Sequence, residues 1–310
     1  MVNIPFHKAR LKAVSRAERA FDKRLISFRK DLIAYVFSEM SAGLIMEGNS
    51  IADTSQNLIM INRLDRIVES YVRSNRGMNF LRSLVGDIDK VAEVNKKYYA
   101  SVLGKKDIES TWRAASGYLK SYLGVGDRGE ISEGSILMDS ITSKQWMRQM
   151  KAAVVHGVEN GLTLNEMKSE VEKAGERFDV QVKETLPNVF DKAENILGKQ
   201  VAKEEEMHFA YYQGGIMKRT RDFCEERNNK LFHVSEIALF GTPDDPYGGY
   251  TNKSQGEFQG KTDPYDPFTD LGGYNCRHRL FYVSNELGFR LRPDLDPDDV
   301  TIPDNWVMAA

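Results

Sequence analysis

Residues 79–102 read NFLRSLVGDIDKVAEVNKKYYASV, and apolar side chains recur there at Leu81, Leu84, Ile88, Val91, Tyr98 and Val102 in steps of three and four. Such steps line one face of a helix, and their strict alternation resembles a coiled-coil seam more than a broad globular face. Asn95 falls on the seam, where a single polar residue sets register and pairing. The same period appears upstream at Leu11, Val14, Phe21, Leu25, Phe28, Leu32 and Tyr35, with Glu18 at the one broken position. Packing within a helical bundle or helical hairpin accounts for these two stripes, and they are also expected to serve assembly, pairing the chain with a partner helix or with a second copy of itself.

Outward from the stripes the helical reading continues. Gly43 and Glu47-Gly48-Asn49-Ser50 mark a break, and a helix is expected over about 53–74 through Leu58, Ile61, Leu64, Ile67, Val68 and Val72. Residues 105–123 place Trp112, Ala115, Leu119 and Tyr122 inward, and Gly124, Gly126 and Gly129 then open a loop. A further helix is expected over 143–160, closing at Asn160-Gly161. Thr163-Leu164-Asn165-Glu166 has the form of a capping box, in which hydroxyl and carboxylate each satisfy an orphan backbone N–H. Pro187 reads as a first-turn proline. The face Phe190, Ala193, Leu197, Val201, Glu204 and His208 is expected to carry that helix to Gln213, with a stop at Gly214-Gly215.

Proline divides the chain. Of 9 prolines in 310 residues, all but Pro5 and Pro187 lie at or beyond Pro243, in a region rich in glycine, aspartate and aromatics. The expected fold is mainly α. An elongated helical bundle or coiled-coil-like region would span 1–213, with a sub-boundary near 124–142. A small irregular α+β domain ending in the acidic residues Asp294, Asp296, Asp298, Asp299 and Asp304 would span 214–310. Within that domain Tyr247, Tyr250, Phe258, Tyr265, Phe268 and Tyr274 are available to pack a long irregular stretch or to form a contact surface.

With 41% hydrophobic residues and a net charge of −2 the chain lacks the signature of global disorder. No apolar run is long enough to span a bilayer, and no apolar h-region precedes the charged first helix, so a cytoplasmic, membrane-free setting is expected. The small net charge hides an uneven distribution. Residues 1–40 hold nine Lys or Arg against four Asp or Glu, a basic arm suited to DNA or an acidic partner, or simply to water.

The chemistry-bearing residues gather late, in Lys218-Arg219-Thr220-Arg221-Asp222-Phe223-Cys224, in Asn228 to Ile237, and in Asp270-Leu271-Gly272-Gly273-Tyr274-Asn275-Cys276-Arg277-His278. Over about 214–285 the sequence resembles the C-terminal region of the phage Mu F-like minor head protein family. The matching residues are Arg221, Cys224, Lys230, Gly272, Gly273, Asn275, Cys276, Arg277 and His278. His278 stands where a second cysteine is common, and Asn228-Asn229 where a glycine turn is usual. The resemblance implies a non-enzymatic minor capsid or head morphogenesis protein of a tailed phage, assembled in the host cytoplasm and carried in the virion. Its partners would be the portal, scaffold or other virion subunits, with a role in DNA packaging or ejection.

Cys224, His233, Cys276 and His278 are the atom types that a tetrahedral zinc ion takes. Their spacing matches no standard finger, and the two cysteines equally fit small buried hydrophobes or a disulfide. Arg219, Arg221, Arg277 and Arg279 are expected to pair with Asp222, Glu225, Asp263, Asp266 or Asp270. Two other function classes compete. A metal-dependent nuclease or toxin-like domain would use His233, Asp270, Asn275 and His278, and an internal DNA-binding virion protein would use the basic arm. A thiol nucleophile at Cys276 is disfavoured by the expectation that it and His278, two residues apart, point away from each other.

Overall fold

The computed structural model describes residues 7–105, 107–142, 144–304 and 306. The side chains of residues 7, 8, 11, 140, 144, 145 and 177–189 lie outside the described residues, and the seam position Leu11 is one of them. In chain order the elements are α1 (His7–Ser41), β1 (Met46–Glu47), β2 (Ser50–Ile51), α2 (Ser55–Ile61), α3 (Leu64–Arg73), α4 (Asn75–Val102), α5 (Glu109–Leu123), α6 (Ile136–Ile141), α7 (Lys144–Glu159) and α8 (Leu164–Glu204). There follow β3 (Phe209–Gln213), α9 (Asp222–Arg227), β4 (Lys230–His233), α10 (Val234–Ala238), β5 (Arg279–Val283) and α11 (Asn285–Leu291). The fold is mainly α with small antiparallel sheets, in line with the expected class. Among the described residues no helix is long and apolar enough to cross a membrane.

Two compact units form, one from 16–87 with 122–186 and one from 1–15, 88–121 and 187–310. In the helical unit, the α1 stripe is spent on the chain's own core. Phe21, Leu25, Phe28 and Leu32 are buried, and Phe80 of α4 stacks on Phe28 at 4.4 Å and lies 6.0 Å from Phe21. Leu81 and Leu84 are buried as well. The helix expected over 53–74 is two helices, α2 and α3. Asn57 explains what stabilises the turn before α2: its Oδ1 accepts from Ile45 N at 2.8 Å, and its Nδ2 donates to the carbonyls of Ile45 and Ala52. The capping box forms as expected, with Thr163 N donating to Glu166 Oε2 at 2.9 Å and Glu166 N donating to Thr163 Oγ1 at 3.3 Å.

The other unit is built on a three-stranded antiparallel sheet in the order β4-β3-β5. Its central strand, Phe209-Ala210-Tyr211-Tyr212-Gln213, corrects the sequence reading, which carried a helix to Gln213. Helix α8 stops at Glu204 because Glu206 turns left-handed, at φ 50°, and Met207 N reaches back to Ala202 O at 2.8 Å. This is a Schellman ending with glutamate where glycine is usual, so no punctuating residue announces it. Pro187 also corrects: α8 runs through it without a break, although proline is ordinarily confined to a first turn. The compositional boundary at 213/214 falls directly after β3, whose hydrogen-bonded neighbours lie beyond it.

The second stripe is likewise internal here. Ile88, Val91 and Tyr98 are buried and Val102 is half-buried. Asn95 is fully buried and donates to Glu194 Oε1 at 2.9 Å, so its polar side chain serves an internal partner. Glu194 also meets Arg279 Nε at 2.5 Å and Arg10 Nε at 3.5 Å, while Arg279 pairs with Asp191. Two cations and two carboxylates thus cancel inside the core, which is the condition for burying them. The Arg10 guanidinium completes the arrangement by lying 4.3 Å from the Phe281 ring and 4.6 Å from that of Tyr98.

The irregular stretch is packed by its own rings, as expected for five of the six aromatics. Phe258 stacks on Phe223 at 3.9 Å, Tyr250 meets Phe223 edge-on, Tyr247 meets Phe232, Tyr265 meets Phe258, and Phe268 meets Trp306. Tyr274 is instead exposed. Trp306, which the reading of an acidic tail passed over, is buried against Phe268 and Tyr282.

Candidate functional site

The pleat of the sheet sorts the candidate ligands. Successive residues of a strand face opposite sides, so Phe209 and Tyr211 share one face and Ala210 and Tyr212 the other. His233 pairs with Phe209 in register and its ring lies 5.0 Å from the Phe209 ring, on the face packed by Leu231, Val283 and Phe289. Tyr212 is on the opposite face, and it is there that Cys224 of α9, Cys276 and His278 converge. The Tyr212 hydroxyl donates to Cys224 Sγ at 3.4 Å, and its ring stacks on that of His278 at 5.1 Å. His233 is therefore removed from the candidate metal set. Its imidazole Nδ1 accepts from Ser235 N at 3.2 Å as the cap of α10.

Burial and the neighbouring His208 depress the His233 pKa to about 4, below the ordinary value of 6.5. The folded chain then binds fewer protons at this site than the unfolded chain, so the stabilisation is complete above pH 6.5 and is lost as pH falls towards 4. An acid-induced drop in denaturation midpoint is expected across that window, and His233→Gln should flatten it. An unchanged profile in that variant would assign the drop to other groups.

Cys224 and Cys276 are both free thiols, with sulfurs 3.8 Å apart, and Cys276 Sγ lies 3.8 Å from His278 Nδ1. The expectation that Cys276 and His278 diverge was mistaken: residues two apart on extended chain share a face, and here they meet. The hydrogen bond with Cys276 chiefly pulls the Cys224 thiol down to about 7, assisted by Tyr212 and by the guanidinium groups of Arg221 and Arg227. The same hydrogen bond, together with burial, pushes Cys276 well up.

A clamp holds this cluster in place. Arg221 donates through Nη1 to the Gly272 carbonyl at 3.0 Å and through Nη2 to that of Tyr274, tying α9 to the turn that carries Cys276. Gly272 N donates to Cys276 Sγ at 3.3 Å. Any Cβ at Gly272 would overlap both sulfurs, so only glycine leaves that space. No family model, curated protein or solved structure matches the chain.

Of the residues that carry the resemblance, Arg221, Cys224, Gly272, Gly273, Cys276 and His278 meet in this region. Asn275 bends its turn at φ 59°, Arg277 is exposed, and Lys230 lies apart at the start of β4. The expected ion pairs change partners. Arg279 takes Asp191 and Glu194, Asp266 takes Lys199, and Asp270 takes Lys192, because α8 brings its own charges to these segments. The proposed nuclease set does not assemble, since His233 is across the sheet and Asp270 is engaged by Lys192 and by the Asp266 N–H.

Proposed function

We propose that the chain is a minor capsid or head morphogenesis protein of a tailed phage, a non-enzymatic component that binds portal, scaffold or other virion subunits. One observation supports this reading over an enzyme. Residues of the resemblance some fifty positions apart meet: Cys224, Gly272, Cys276 and His278 are buried together, and the half-buried Arg221 is tied to them through the Gly272 carbonyl. Buried thiols and imidazole that hold loops together suit a module whose surface does the work.

Particles purified by density gradient from a lysate of the phage that encodes the chain are expected to contain it in fewer copies than the major capsid protein. Recovery only among soluble proteins would overturn the reading. Cleavage of DNA or RNA by the full chain with divalent metal would favour the nuclease alternative instead.

A second reading, contact with DNA inside the particle, draws on the exposure of Arg16, Arg19, Lys23 and Lys30 along α1. Counterion release makes such binding fall steeply as salt rises, and an affinity insensitive to salt would exclude it.

A further inference from the structure

We propose that Cys224, Cys276 and His278 form a zinc site, an inference independent of the phage reading. The ligands arrive from three segments: helix α9, the turn after Gly272, and the residue preceding β5. All three ligand atoms lie within 4.8 Å of one another. In tetrahedral coordination with Zn–S bonds of about 2.3 Å, two sulfurs stand roughly 3.8 Å apart. The sulfurs of Cys224 and Cys276 are 3.8 Å apart, and His278 Nδ1 lies at the same distance from Cys276 Sγ. A disulfide would require the sulfurs to close to about 2.05 Å.

Charge and space agree with that geometry. Two thiolates, a neutral imidazole and a divalent ion sum to zero, which removes most of the penalty for burying ions where Cys224 and His278 are 2% and 3% exposed. Among the described residues Nε2 of His278 is buried without a hydrogen-bond partner, and Nδ1 faces the Cys276 sulfur. The missing Cβ at Gly272 keeps space open beside both sulfurs. Thiolate and imidazole select a soft or borderline ion, whereas calcium and magnesium take oxygen ligands. Tyr212, 3.4 Å from Cys224 Sγ and 3.9 Å from Cys276 Sγ, supplies the outer hydrogen bond that orients a ligating thiolate. Three protein ligands leave the fourth corner to a small ligand such as water.

The test uses the full chain, purified without chelator and then supplied with zinc or cobalt(II). Elemental analysis is expected to find about one zinc per chain, with neither thiol titrating as free until the metal is chelated. Cobalt should give thiolate charge-transfer absorption and the strong visible bands of tetrahedral coordination. Cys276→Ser and His278→Ala are expected to lower retained metal by roughly tenfold or more, and His233→Gln to leave it unchanged. Should those two ligand variants fail to fold, His278→Cys keeps a ligand at the position and is expected to retain zinc with a more sulfur-rich cobalt spectrum. Wild-type chain that holds no metal overturns the site, whether its cysteines are free or joined in a disulfide. Metal retained in a folded Cys276→Ser, His278→Ala double variant overturns it too.

Discussion

Asp245→Ala is expected to cost about 3–5 kcal/mol, the penalty for leaving a buried cation without its counter-charge. Arg227 and Asp245 are both fully buried, and their Nη2–Oδ2 distance is 2.5 Å. The carboxylate also accepts from Gly241 N at 3.0 Å, from Tyr247 N at 2.9 Å and from the Tyr250 hydroxyl. Arg227 in turn donates to the carbonyls of Phe223 and Gly248, and its guanidinium lies 3.7 Å from the Phe223 ring. One ion pair thereby organises the start of the irregular stretch after Phe240, and alanine would take an acceptor from three donors besides the arginine. The prediction is read from the urea midpoint at unchanged slope. Arg227→Met combined with Asp245→Ala should cost less than the sum of the single changes, because the double variant buries no unpaired charge. A loss below about 1 kcal/mol for Asp245→Ala would show that water reaches the pair.

Gly273→Ala is the other change expected to be severe, at about 3 kcal/mol or more from left-handed strain and overpacking together. Gly273 has φ 76°, and a Cβ there would press on the carbonyl group of Gly260. That neighbour is backbone, held in place because Gly260 O accepts from Tyr274 N at 2.7 Å, so no rotamer change relieves the overlap. The turn that must shift also carries Cys276. Loss of stability should therefore accompany altered reactivity of the cysteine pair. Gly215→Ala provides the control: a Cβ there meets nothing within 4 Å, and a change within about 0.5 kcal/mol is expected. Equal effects at 215 and 273 would contradict the packing argument.

How far these features were legible from residues alone depends on the range of the interaction that creates them. The α1 and α4 stripes were visible as spacing because a helix repeats locally, and Phe21, Phe28, Leu81 and Ile88 are buried accordingly. The capping box at Thr163 and Glu166 was visible for the same reason, its two hydrogen bonds spanning three residues. What the stripes pack against was not visible. The seam reading points outward to a partner, whereas most of the described stripe residues are buried in cores within the chain.

The central strand was hidden for a different reason. Phe209 to Gln213 continues the apolar spacing of α8 for one more turn, and a non-glycine residue makes the left-handed ending at Glu206. Local pattern therefore favoured helix where pairing with β4 and β5 imposes strand, since sheet hydrogen bonds come from residues that local spacing does not contain.

Composition and spacing by themselves determined a mainly helical protein, its principal buried stripes, a distinct proline-rich end and the residues from which a thiol and imidazole site could be drawn. Only the tertiary structure decided that Cys224, Cys276 and His278 share a site and that His233 does not. The reason is geometric: contact between positions some fifty residues apart depends on sheet register and on which face of the pleat each side chain takes, and a one-residue shift would reverse the outcome.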